Sequence, residues 1–459
     1  LVTPGTLFVA ASGVRSDGHD YAAQAVAAGA VGIVGNRPGL ESLCSVPYVY
    51  TDHPRRALGV IAHTLAGNPS RDMTVIGITG TNGKSSSVLL TQRILNTCGY
   101  RAAAFGTLGY DILGNMIEAN HTTPFGEDLA DVFKQARDAG ATHVAMEASS
   151  HAIEQDRIAG IEFRVAAFTN LTQDHLDYHV TMEAYREAKL KLFRSIEGQG
   201  AFTVVNLDDP SARHFIEAST VTCYTYGQGA DCSAEDVVIH SDATTFTART
   251  PWGASAIHMT LLGSHNVSNA LGVIAICGGL GLPIEKIAEG IAALPCVPGR
   301  FVPIGNSLGF HVVVDYAHTD DALKNVLQAA RTLCNGRVIV VFGCGGDRDR
   351  TKRPKMGAVA AGMADYSFIT SDNPRTESPE SIIAQIEPGA ASTGKKKGID
   401  YDVIVDRATA IHAAVNMARP GDLVLIAGKG HEDYQIIGTT KIHFDDSEVA
   451  RAAIEARSA

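Results

Sequence analysis

The feature that most constrains this chain is a glycine-rich loop between an apolar strand and a helix. Residues 74–79 (TVIGIT) predict a β-strand, and residues 85–95 repeat apolar side chains at helical spacing. The loop between them has the sequence GTNGKS at residues 80–85. Glycines let backbone N–H groups crowd around a phosphate, and the N-terminus of the helix adds a favourable dipole. The segment therefore predicts a nucleotide-binding α/β domain.

The lysine and the hydroxyl of this loop complete the predicted phosphate site. Lys84 is placed to reach the β- and γ-phosphates, and Ser85 to offer a hydroxyl to Mg²⁺. The loop departs from the common GxxxxGKS/T pattern, because the position of the first glycine holds Ile78. The alternative is a glycine turn that binds no nucleotide. Strand, loop, lysine and hydroxyl occur together here, which favours nucleotide binding.

The rest of the chain extends the α/β pattern into three blocks. A chain of 459 residues is too long for one compact core. Residues 1–72 hold short strands around an alanine-rich helix, residues 73–296 hold the phosphate loop, and residues 297–459 alternate strands and helices again. This alternation predicts parallel sheets with helical crossovers. We also expect that a few residues before Leu1 are missing, since the sequence opens without methionine.

Charge and cysteine content narrow the class of function. A net charge of -11 argues against a nucleic-acid partner, because the phosphate backbone attracts basic surfaces. The eight cysteines, Cys44 among them, include no CxxC pair, as expected of reduced thiols in a cytosolic protein. We find neither a signal peptide nor an apolar run of about 18 residues. The chain is expected to be a cytoplasmic, monomeric protein with small-molecule ligands and no membrane span.

Polar residues at the ends of two further strands are candidate metal ligands. The strand at residues 143–146 ends on Glu147, and the strand at 166–169 leads to Asp174 and His175. A carboxylate at the carboxyl end of a strand beside a phosphate loop is well placed for Mg²⁺. Asp174 or His175 is a candidate ligand for a second metal, although each residue type alone is more often a cap or a surface residue.

A lysine on the following helix occupies a position where charge is costly. Across residues 181–196 apolar side chains recur at helical spacing. At about 100° per residue, Lys189 lies in the middle of this apolar stripe and Lys191 points the opposite way. A lysine there must snorkel, pair or lose its charge. The pattern alone favours snorkelling; the alternative is a neutral amine that reacts with carbon dioxide to give a carbamate, an oxygen ligand for Mg²⁺.

Six ordered motifs resemble those of the Mur ligase family and run through all three blocks. They are GTNGKS (80–85), EASSH (147–151), NLTQDHLD (170–177), GSHNVSN (263–269), PGRF (298–301) and DYAH (315–318). The resemblance implies a small N-terminal α/β domain that holds a UDP-sugar. It also implies a central ATP-binding domain with a parallel sheet like that of P-loop ATPases, and a Rossmann-like C-terminal domain that brings the incoming amino acid.

The resemblance further implies roles for the matching residues. The implied catalytic residues are Lys84, Glu147, His175 and Lys189. The implied metal ligands are Ser85, Glu147, His175 and Lys189, the last as N6-carboxylysine, which reverses the preference for snorkelling. The implied ATP-binding residues are Gly80, Thr81, Asn82, Gly83, Lys84, Ser85, Asn266, Asn269, Arg300 and Asp315. The implied residues for the UDP-linked precursor are Thr122, Thr123, Ser149, Gln155 and Arg157.

The segment DNPR at residues 372–375 resembles that of diaminopimelate-adding members, whereas lysine-adding relatives differ at the arginine. Diaminopimelate carries a second carboxylate, which Arg375 can grip with two hydrogen bonds. L-Lysine has no such group and would leave the guanidinium unpaired. In the implied site, Arg348 holds another carboxylate and Glu432 the distal ammonium. The implied amino-acid-binding residues are Arg348, Asp372, Asn373, Arg375, Gly428 and Glu432.

We therefore expect an ATP- and Mg²⁺-dependent ligase that adds meso-diaminopimelate to UDP-MurNAc-L-Ala-D-Glu through an acyl phosphate. The alternatives are a Mur ligase that adds L-lysine, a folylpolyglutamate synthetase, and a regulatory nucleotide-binding protein. The DNPR segment and the N-terminal block speak against the folate enzyme. Retention of the four implied catalytic residues speaks against a regulatory protein. Two positions depart from the family pattern, Val302 where an acidic residue is common and His121 where a polar amide is expected.

Overall fold

The computed structural model describes residues 2–13, 16–40, 45–119, 121–240 and 242–458. Its first block is a three-stranded parallel sheet with a small apolar core. The strands are β1 (Leu7–Val9), β2 (Gly32–Gly35) and β3 (Tyr48–Tyr50), and the helices are α1 (Ala22–Ala27) and α2 (Pro54–Leu65). Cys44 lies outside the described residues; the other seven cysteines are free thiols.

An eight-stranded sheet forms the centre of the second block, in the order β11-β10-β9-β4-β8-β5-β6-β7. The first six strands in this order are parallel, and β6 and β7 extend the sheet in antiparallel fashion. The strands are β4 (Thr74–Thr79), β5 (Ala102–Gly106), β6 (Gly109–Ile112), β7 (Asn115–Ile117), β8 (His143–Glu147), β9 (Val165–Phe168), β10 (Phe202–Asn206) and β11 (Thr222–Tyr226). The helices are α3 (Lys84–Thr97), α4 (Gly126–Asp138), α5 (Ser150–Glu154), α6 (Leu176–His179), α7 (Met182–Arg194) and α8 (Ala212–Ala218).

A separate antiparallel sheet follows within the second block. It consists of β12 (Ser233–Ile239), β13 (Thr244–Thr250) and β14 (Gly253–Met259), and is followed by helices α9 (Ser264–Gly279) and α10 (Ile284–Ala292). The prediction of parallel sheets throughout is wrong for this stretch, because its strands are joined by short turns rather than by helices. Helix α9 is buried on nearly every side between the two sheets, so it shows no polar face.

The third block has a six-stranded sheet in the order β15-β16-β20-β17-β18-β19, parallel except for the edge strand β15. The strands are β15 (Val302–Ile304), β16 (His311–Asp315), β17 (Val338–Phe342), β18 (Tyr366–Ile369), β19 (Tyr401–Val403) and β20 (Leu423–Ala427), with a hairpin of β21 (Tyr434–Ile437) and β22 (Thr440–His443). The helices are α11 (Asp320–Leu333), α12 (Lys352–Met363), α13 (Pro379–Ser392), α14 (Arg407–Met417) and α15 (Asp446–Ser458).

The arrangement of the two large sheets positions the site. Helices cover both faces of each sheet and enclose separate apolar cores. Loops at the carboxyl ends of the parallel strands meet across the gap between the blocks, which is where open α/β sheets bind ligands. The predicted α/β class is confirmed, whereas the boundaries at residues 72/73 and 296/297 remain predictions. Within the described ranges, no helix is long and apolar enough to cross a membrane.

Candidate active site

The phosphate loop packs closely against neighbouring side chains, and two of its positions require glycine. Gly80 has φ 148° and Gly83 has φ 86°. A Cβ atom on Gly80 would lie 1.9 Å from Thr169 Oγ1, and one on Gly83 would lie 2.2 Å from Asn269 Oδ1. Helix α3 begins directly after this loop, at Lys84. The backbone N–H groups at its start therefore form a fixed anion site of the kind that binds phosphate.

Lys84 lies over this loop. Its Nζ donates to the carbonyl oxygens of Gly80 at 3.0 Å and Thr81 at 2.8 Å. Burial lowers the pKa of Lys84, while the charge of Glu147 acts in the opposite direction. The amine is thus fixed over the phosphate loop, and its predicted role in binding phosphate remains a prediction.

A hydroxyl and a carboxylate meet beside the loop. Ser85 Oγ donates to Glu147 Oε1 at 2.9 Å, and the Thr107 backbone N–H donates to the same oxygen at 2.9 Å. Glu147 is only 2% exposed. From the third block, Arg300 Nη2 donates to Ser85 Oγ at 3.3 Å. Oxygen donors of these two types suit Mg²⁺, so the site fits the metal that the sequence implies.

Lys189 is fully buried, so the prediction of a snorkelling lysine is wrong. The side chain is 1% exposed, and its Nζ donates to the Gly80 carbonyl oxygen at 2.9 Å. The same atom lies 4.4 Å from the centroid of the Tyr185 ring. Burial, reinforced by the charge of Lys84, holds the pKa of Lys189 well below its usual range. Within the described part of the chain, no carboxylate lies within ion-pair distance of this amine.

His175 lies next to this buried lysine site, before helix α6. Its backbone is left-handed, with φ 56°. Its ring packs edge-on against that of His151, with centroids 4.7 Å apart. Burial lowers the pKa of His175 to about 3, against the opposing charge of Asp174. The ring is therefore neutral near pH 7 and keeps a lone pair for a metal. Asp174, the other candidate, faces Lys352 of the third block at 3.7 Å.

One cleft, of about 360 Å³, opens on the outer side of the phosphate loop. Six of the predicted ATP-binding residues line it: Asn82, Gly83, Asn266, Asn269, Arg300 and Asp315. The Asp315 carboxylate accepts from the backbone N–H groups of Phe301 and Ala317, each at 2.7 Å. Asp315 therefore fixes the turn that carries Arg300.

Asp321 also lines this cleft, although the sequence did not predict it as a site residue. Asn82 Nδ2 donates to Asp321 Oδ2 at 2.9 Å, a contact between the second and third blocks. Asp321 is in the first turn of helix α11, where acidic residues are common because they interact favourably with the helix dipole. The sequence offered no signal that separates this residue from an ordinary helix start.

A second cleft, of about 600 Å³, lies between the second and third blocks on the other side of the loop. Thr122 and His175 line it from the second block. The other residues predicted for the UDP-linked precursor, Thr123, Ser149, Gln155 and Arg157, form a hydrogen-bonded group next to Thr122.

All six residues predicted to bind the amino acid line the opposite wall of this cleft, or lie on the loops that form it: Arg348, Asp372, Asn373, Arg375, Gly428 and Glu432. Arg375 Nη1 donates to the Gly346 carbonyl oxygen at 2.8 Å. Burial, followed by the charge of Arg348, lowers the pKa of Arg375. Among the described residues, neither guanidinium has an ion-pair partner within 4.0 Å. Two unpaired cations thus face the cleft, and carboxylates are the ligands they suit.

Two acidic groups stand beside these arginines. Asp372 is buried, and among the described residues its Oδ1 has no hydrogen-bond partner. Burial alone would raise the pKa of Asp372, but the charges of Lys429 and Arg407 hold it below its usual value. Burial and the charge of Asp372 raise the pKa of Glu432. Lys429 Nζ lies 3.4 Å from Asp372 Oδ1 and 3.6 Å from Glu432 Oε2, so the two carboxylates share one buried lysine. The pocket therefore offers acidic groups as well as arginines.

The amide of Asn373 holds the acidic side of the pocket together. Its Oδ1 accepts from Lys429 Nζ and from the Ile436 backbone N–H, each at 3.0 Å. Its Nδ2 donates to Glu432 Oε2 at 2.8 Å. The side chain thus positions other groups of the pocket.

Comparison with known proteins finds three matching domain families along the chain. Residues 78–277 match the Mur ligase middle domain, and residues 299–430 match the family described as Mur ligase, glutamate ligase domain. Residues 1–64 match the family described as Mur ligase family, catalytic domain.

Curated relatives are similar over nearly the whole chain. The UDP-N-acetylmuramoyl-L-alanyl-D-glutamate--2,6-diaminopimelate ligase of Bacillus licheniformis is 43% identical over 460 residues, covering 99% of this chain and 92% of the relative. The protein of the same name from Thermosynechococcus vestitus is 44% identical over 466 residues, covering 99% and 91%.

Solved structures share the fold. One of a UDP-N-acetylmuramoyl-L-alanyl-D-glutamate--2,6-diaminopimelate ligase is 33% identical, with a TM-score of 0.71 and coverage of 100% of this chain and 93% of that one. The MurF ligase of Thermotoga maritima in complex with ADP is 18% identical, with a TM-score of 0.66, covering 99% and 96%. A folylpolyglutamate synthase of Mycobacterium tuberculosis is 17% identical, with a TM-score of 0.68, covering 86% and 95%, and shows a common fold alone.

Proposed function

This chain belongs to the Mur ligase family, and on that premise we propose that it joins meso-diaminopimelate to UDP-MurNAc-L-Ala-D-Glu at the expense of ATP. The reaction forms an amide bond in the synthesis of a peptidoglycan precursor. Because the reaction consumes ATP, which is available in the cytoplasm, we expect the enzyme to act there. We also expect it to be active as a monomer.

The observation that carries the choice of amino acid is the charge of the larger cleft, where two arginines have no ion-pair partner among the described residues and two carboxylates share Lys429. Diaminopimelate has two carboxylates and two ammonium groups. Arg348 and Arg375 offer the two carboxylates partners, and Asp372 and Glu432 offer partners to the ammonium groups. L-Lysine would satisfy the acidic side but leave a half-buried guanidinium without an anion, which is costly. The pocket therefore favours diaminopimelate over L-lysine.

The position of the phosphate loop between the two clefts suits an acyl-phosphate mechanism. The precursor's glutamate carboxylate attacks the γ-phosphorus of ATP, and the bond to ADP breaks. The diaminopimelate amine then attacks the acyl carbon, and phosphate leaves as the amide forms. Lys84 and Arg300 offset the negative charge that builds up between two anions. Positioning and electrostatics carry most of the rate.

We place Mg²⁺ at two positions beside this loop. Ser85 and Glu147 would hold one ion, and His175 with a carbamylated Lys189 would hold the second. When bound, the ions neutralise phosphate charge. Within the described ranges, no three His, Cys, Asp or Glu side chains gather into a metal cluster. A carbamate on Lys189 would supply an additional oxygen ligand at such a place.

Lys189 is well suited to carbamylation. Carbon dioxide reacts with a neutral amine, and complete burial without a carboxylate partner favours that form. The modification converts the neutral amine beside Lys84 into an anion, which compensates the charge of Lys84. Arg300, Lys84 and the metal would then balance the charge of the phosphates.

The deciding experiment measures phosphate release by the purified protein with ATP, Mg²⁺ and UDP-MurNAc-L-Ala-D-Glu. The expected result is release with meso-diaminopimelate and little release with L-lysine. Preference for L-lysine would keep the ligase but contradict the role given to Arg375. Release with neither amino acid would contradict the proposal, and a test with folate and glutamate would then follow.

A further inference from the structure

A completely buried ion pair lies beneath the amino-acid pocket, outside every role assigned so far. Arg407 is the first residue of helix α14, and Asp446 is the first residue of the C-terminal helix α15. Arg407 Nε donates to Asp446 Oδ1 and Nη2 donates to Oδ2, each at 2.7 Å. Both side chains are 0% exposed. The pair therefore ties the start of one helix to the start of another in the interior of the third block.

The same guanidinium also holds the ends of two strand segments that carry the pocket. Arg407 Nη2 donates to the carbonyl oxygen of Ala427 at 3.0 Å, and Nη1 lies 3.4 Å from that of Ser371. Ala427 immediately precedes Gly428, and Ser371 immediately precedes Asp372. One side chain thus fixes the two points at which the backbone turns from the sheet into the pocket.

The backbone at Gly428 lies close to the side chains of Asp372 and Arg407. Gly428 has φ 125°, and a Cβ atom there would lie 3.4 Å from Asp372 Oδ2 and 3.7 Å from Arg407 Nη2. The Asp372 carboxylate therefore lies close to the backbone of Gly428, near Arg407. Its Oδ1 lacks a hydrogen-bond partner in the described structure but lies 3.4 Å from Lys429 Nζ, so this backbone and the charge of that lysine hold the carboxylate in place.

Stability is a weak reason to keep such a pair. Removing two charges from water is costly, and well-packed apolar replacements are often neutral or stabilising. Removing one partner alone is strongly destabilising, because it leaves the other charge buried. A function in orienting the pocket explains the charged pair better than stability does. A single guanidinium can donate hydrogen bonds to a carboxylate and to two carbonyl oxygens at once.

We propose that Arg407 and Asp446 form a positioning unit for the amino-acid site, through which the C-terminal helix α15 fixes Asp372 and Gly428. This inference rests on the proposed function, because it assigns the unit to the diaminopimelate side of the reaction. Neither residue touches substrate. The precursor wall is built on loops of the second block, and the ATP cleft adjoins the unit through the backbone of Gly428, whose N–H donates to the Asp315 carbonyl oxygen at 3.0 Å.

The test is a paired replacement that removes both charges at once, Arg407→Met with Asp446→Leu. Its KM values for diaminopimelate, ATP and the UDP-linked precursor are measured, together with its melting temperature. Because small misplacements of binding groups are costly, the expected result is a KM for diaminopimelate raised about tenfold or more, with the other two changed by less than about twofold. A merely structural pair would lower the melting temperature without separating the three KM values.

The chain offers a matched control at the opposite end of strand β20. Arg337 Nη2 donates to Asp422 Oδ2 at 2.7 Å, and Asp422 immediately precedes that strand. The double variant Arg337→Met with Asp422→Leu removes an arginine–aspartate pair far from the pocket, in which Asp422 is buried and Arg337 is 37% exposed. It should change the melting temperature but leave the KM for diaminopimelate at the wild-type value.

A second variant covers the case in which the paired replacement does not fold. Arg407→Lys keeps the charge but loses the fork that reaches both oxygens and the strand ends. It should also raise the KM for diaminopimelate selectively. An unchanged KM in a folded variant, or an equal rise for all three substrates, would overturn the inference while leaving the ligase intact. Wild-type protein that shows no turnover with diaminopimelate would instead contradict the proposed function, and the inference with it.

Discussion

Lys189 Nζ donates a hydrogen bond to the carbonyl oxygen of Gly80 at 2.9 Å, which places a completely buried amine against the phosphate loop. If the amine is carbamylated, replacement by alanine removes a metal ligand together with the hydrogen bond to Gly80. The Lys189→Ala variant should therefore lose at least about 100-fold in kcat, the scale expected for one electrostatic group of an active site. Short carboxylic acids added to the assay should restore part of the activity, because they can place a carboxylate in the vacated space.

The same helix provides the control for this prediction. Lys191 is exposed and pairs with Glu154 at 2.7 Å, so Lys191→Ala should keep nearly full activity. Mass spectrometry of the native protein in bicarbonate should detect the added mass of one carbon dioxide on Lys189. Rescue by added amines but not by carboxylic acids would contradict the carbamate and favour a role for the lysine as a cation.

The sequence indicated much of this site because its signals are local. The phosphate loop, the strand that ends on Glu147 and the helical position of Lys189 each depend on residues within a few turns of one another. Periodicity placed Lys189 on the buried face correctly. It could not decide whether the amine reaches solvent, because that depends on how far neighbouring elements cover it.

Other parts of the site depend on contacts between distant segments, which periodicity does not encode. Asn82 meets Asp321 across 239 positions of the chain, and Arg407 meets Asp446 across 39. Each of these residues occurs where its type is common for local reasons, so no pattern marks it. The antiparallel sheet of β12, β13 and β14 was not predicted, because the alternation between strands and helices elsewhere in the chain favoured parallel pairing.

The choice of amino acid should depend on Arg375. The Arg375→Met variant keeps a side chain of similar length but cannot bind the second carboxylate of diaminopimelate. A charge-assisted hydrogen-bonded pair contributes about 2–3 kcal/mol, and its loss corresponds to a fall of roughly 30- to 150-fold in kcat/KM for diaminopimelate. The kcat/KM for L-lysine should stay the same or rise, because the half-buried guanidinium that lacks an anionic partner is gone.

The measurement for this prediction is the ratio of kcat/KM for the two amino acids in wild type and variant. Arg331 serves as the control, because it is an exposed arginine of helix α11 that pairs with Asp365 at 2.6 Å. Arg331→Met should leave the ratio unchanged. If Arg375→Met lowered both values equally, the arginine would stabilise the pocket in general rather than select its ligand.

Glu147 should be needed for turnover but not for folding. In Glu147→Gln the side-chain oxygen can still accept from Ser85 and Thr107, so the local hydrogen bonds persist. The lost negative charge weakens the predicted Mg²⁺ site, and kcat should fall by roughly 100- to 1000-fold. Asp111→Asn, which alters a carboxylate that accepts from Gln92 at 2.8 Å, is the control. Near-normal turnover of Glu147→Gln at low Mg²⁺ would contradict the metal assignment.

Acid should weaken the third block through Glu377. This carboxylate accepts from Arg353 Nη2 at 2.8 Å and Nη1 at 3.0 Å, and Arg353 is completely buried. These hydrogen bonds are the main reason that the pKa of Glu377 falls from its usual 4.5 to about 2. Because the pKa is lower in the folded state, the stabilisation is complete above the unfolded pKa and is lost as pH falls toward the folded one.

Comparison of wild type with Glu377→Gln in urea unfolding at several pH values measures this contribution. A shift of this size corresponds to roughly 3 kcal/mol, so above about pH 5 the variant should be less stable by up to that amount. The difference in unfolding free energy should shrink toward zero near about pH 2, where the protonated glutamate is as neutral as glutamine. Glu455→Gln, at an exposed position of helix α15, should show no such pH-dependent difference. A gap between wild type and Glu377→Gln that stayed constant with pH would mean that shape and packing, rather than the charge of Glu377, hold Arg353 in place.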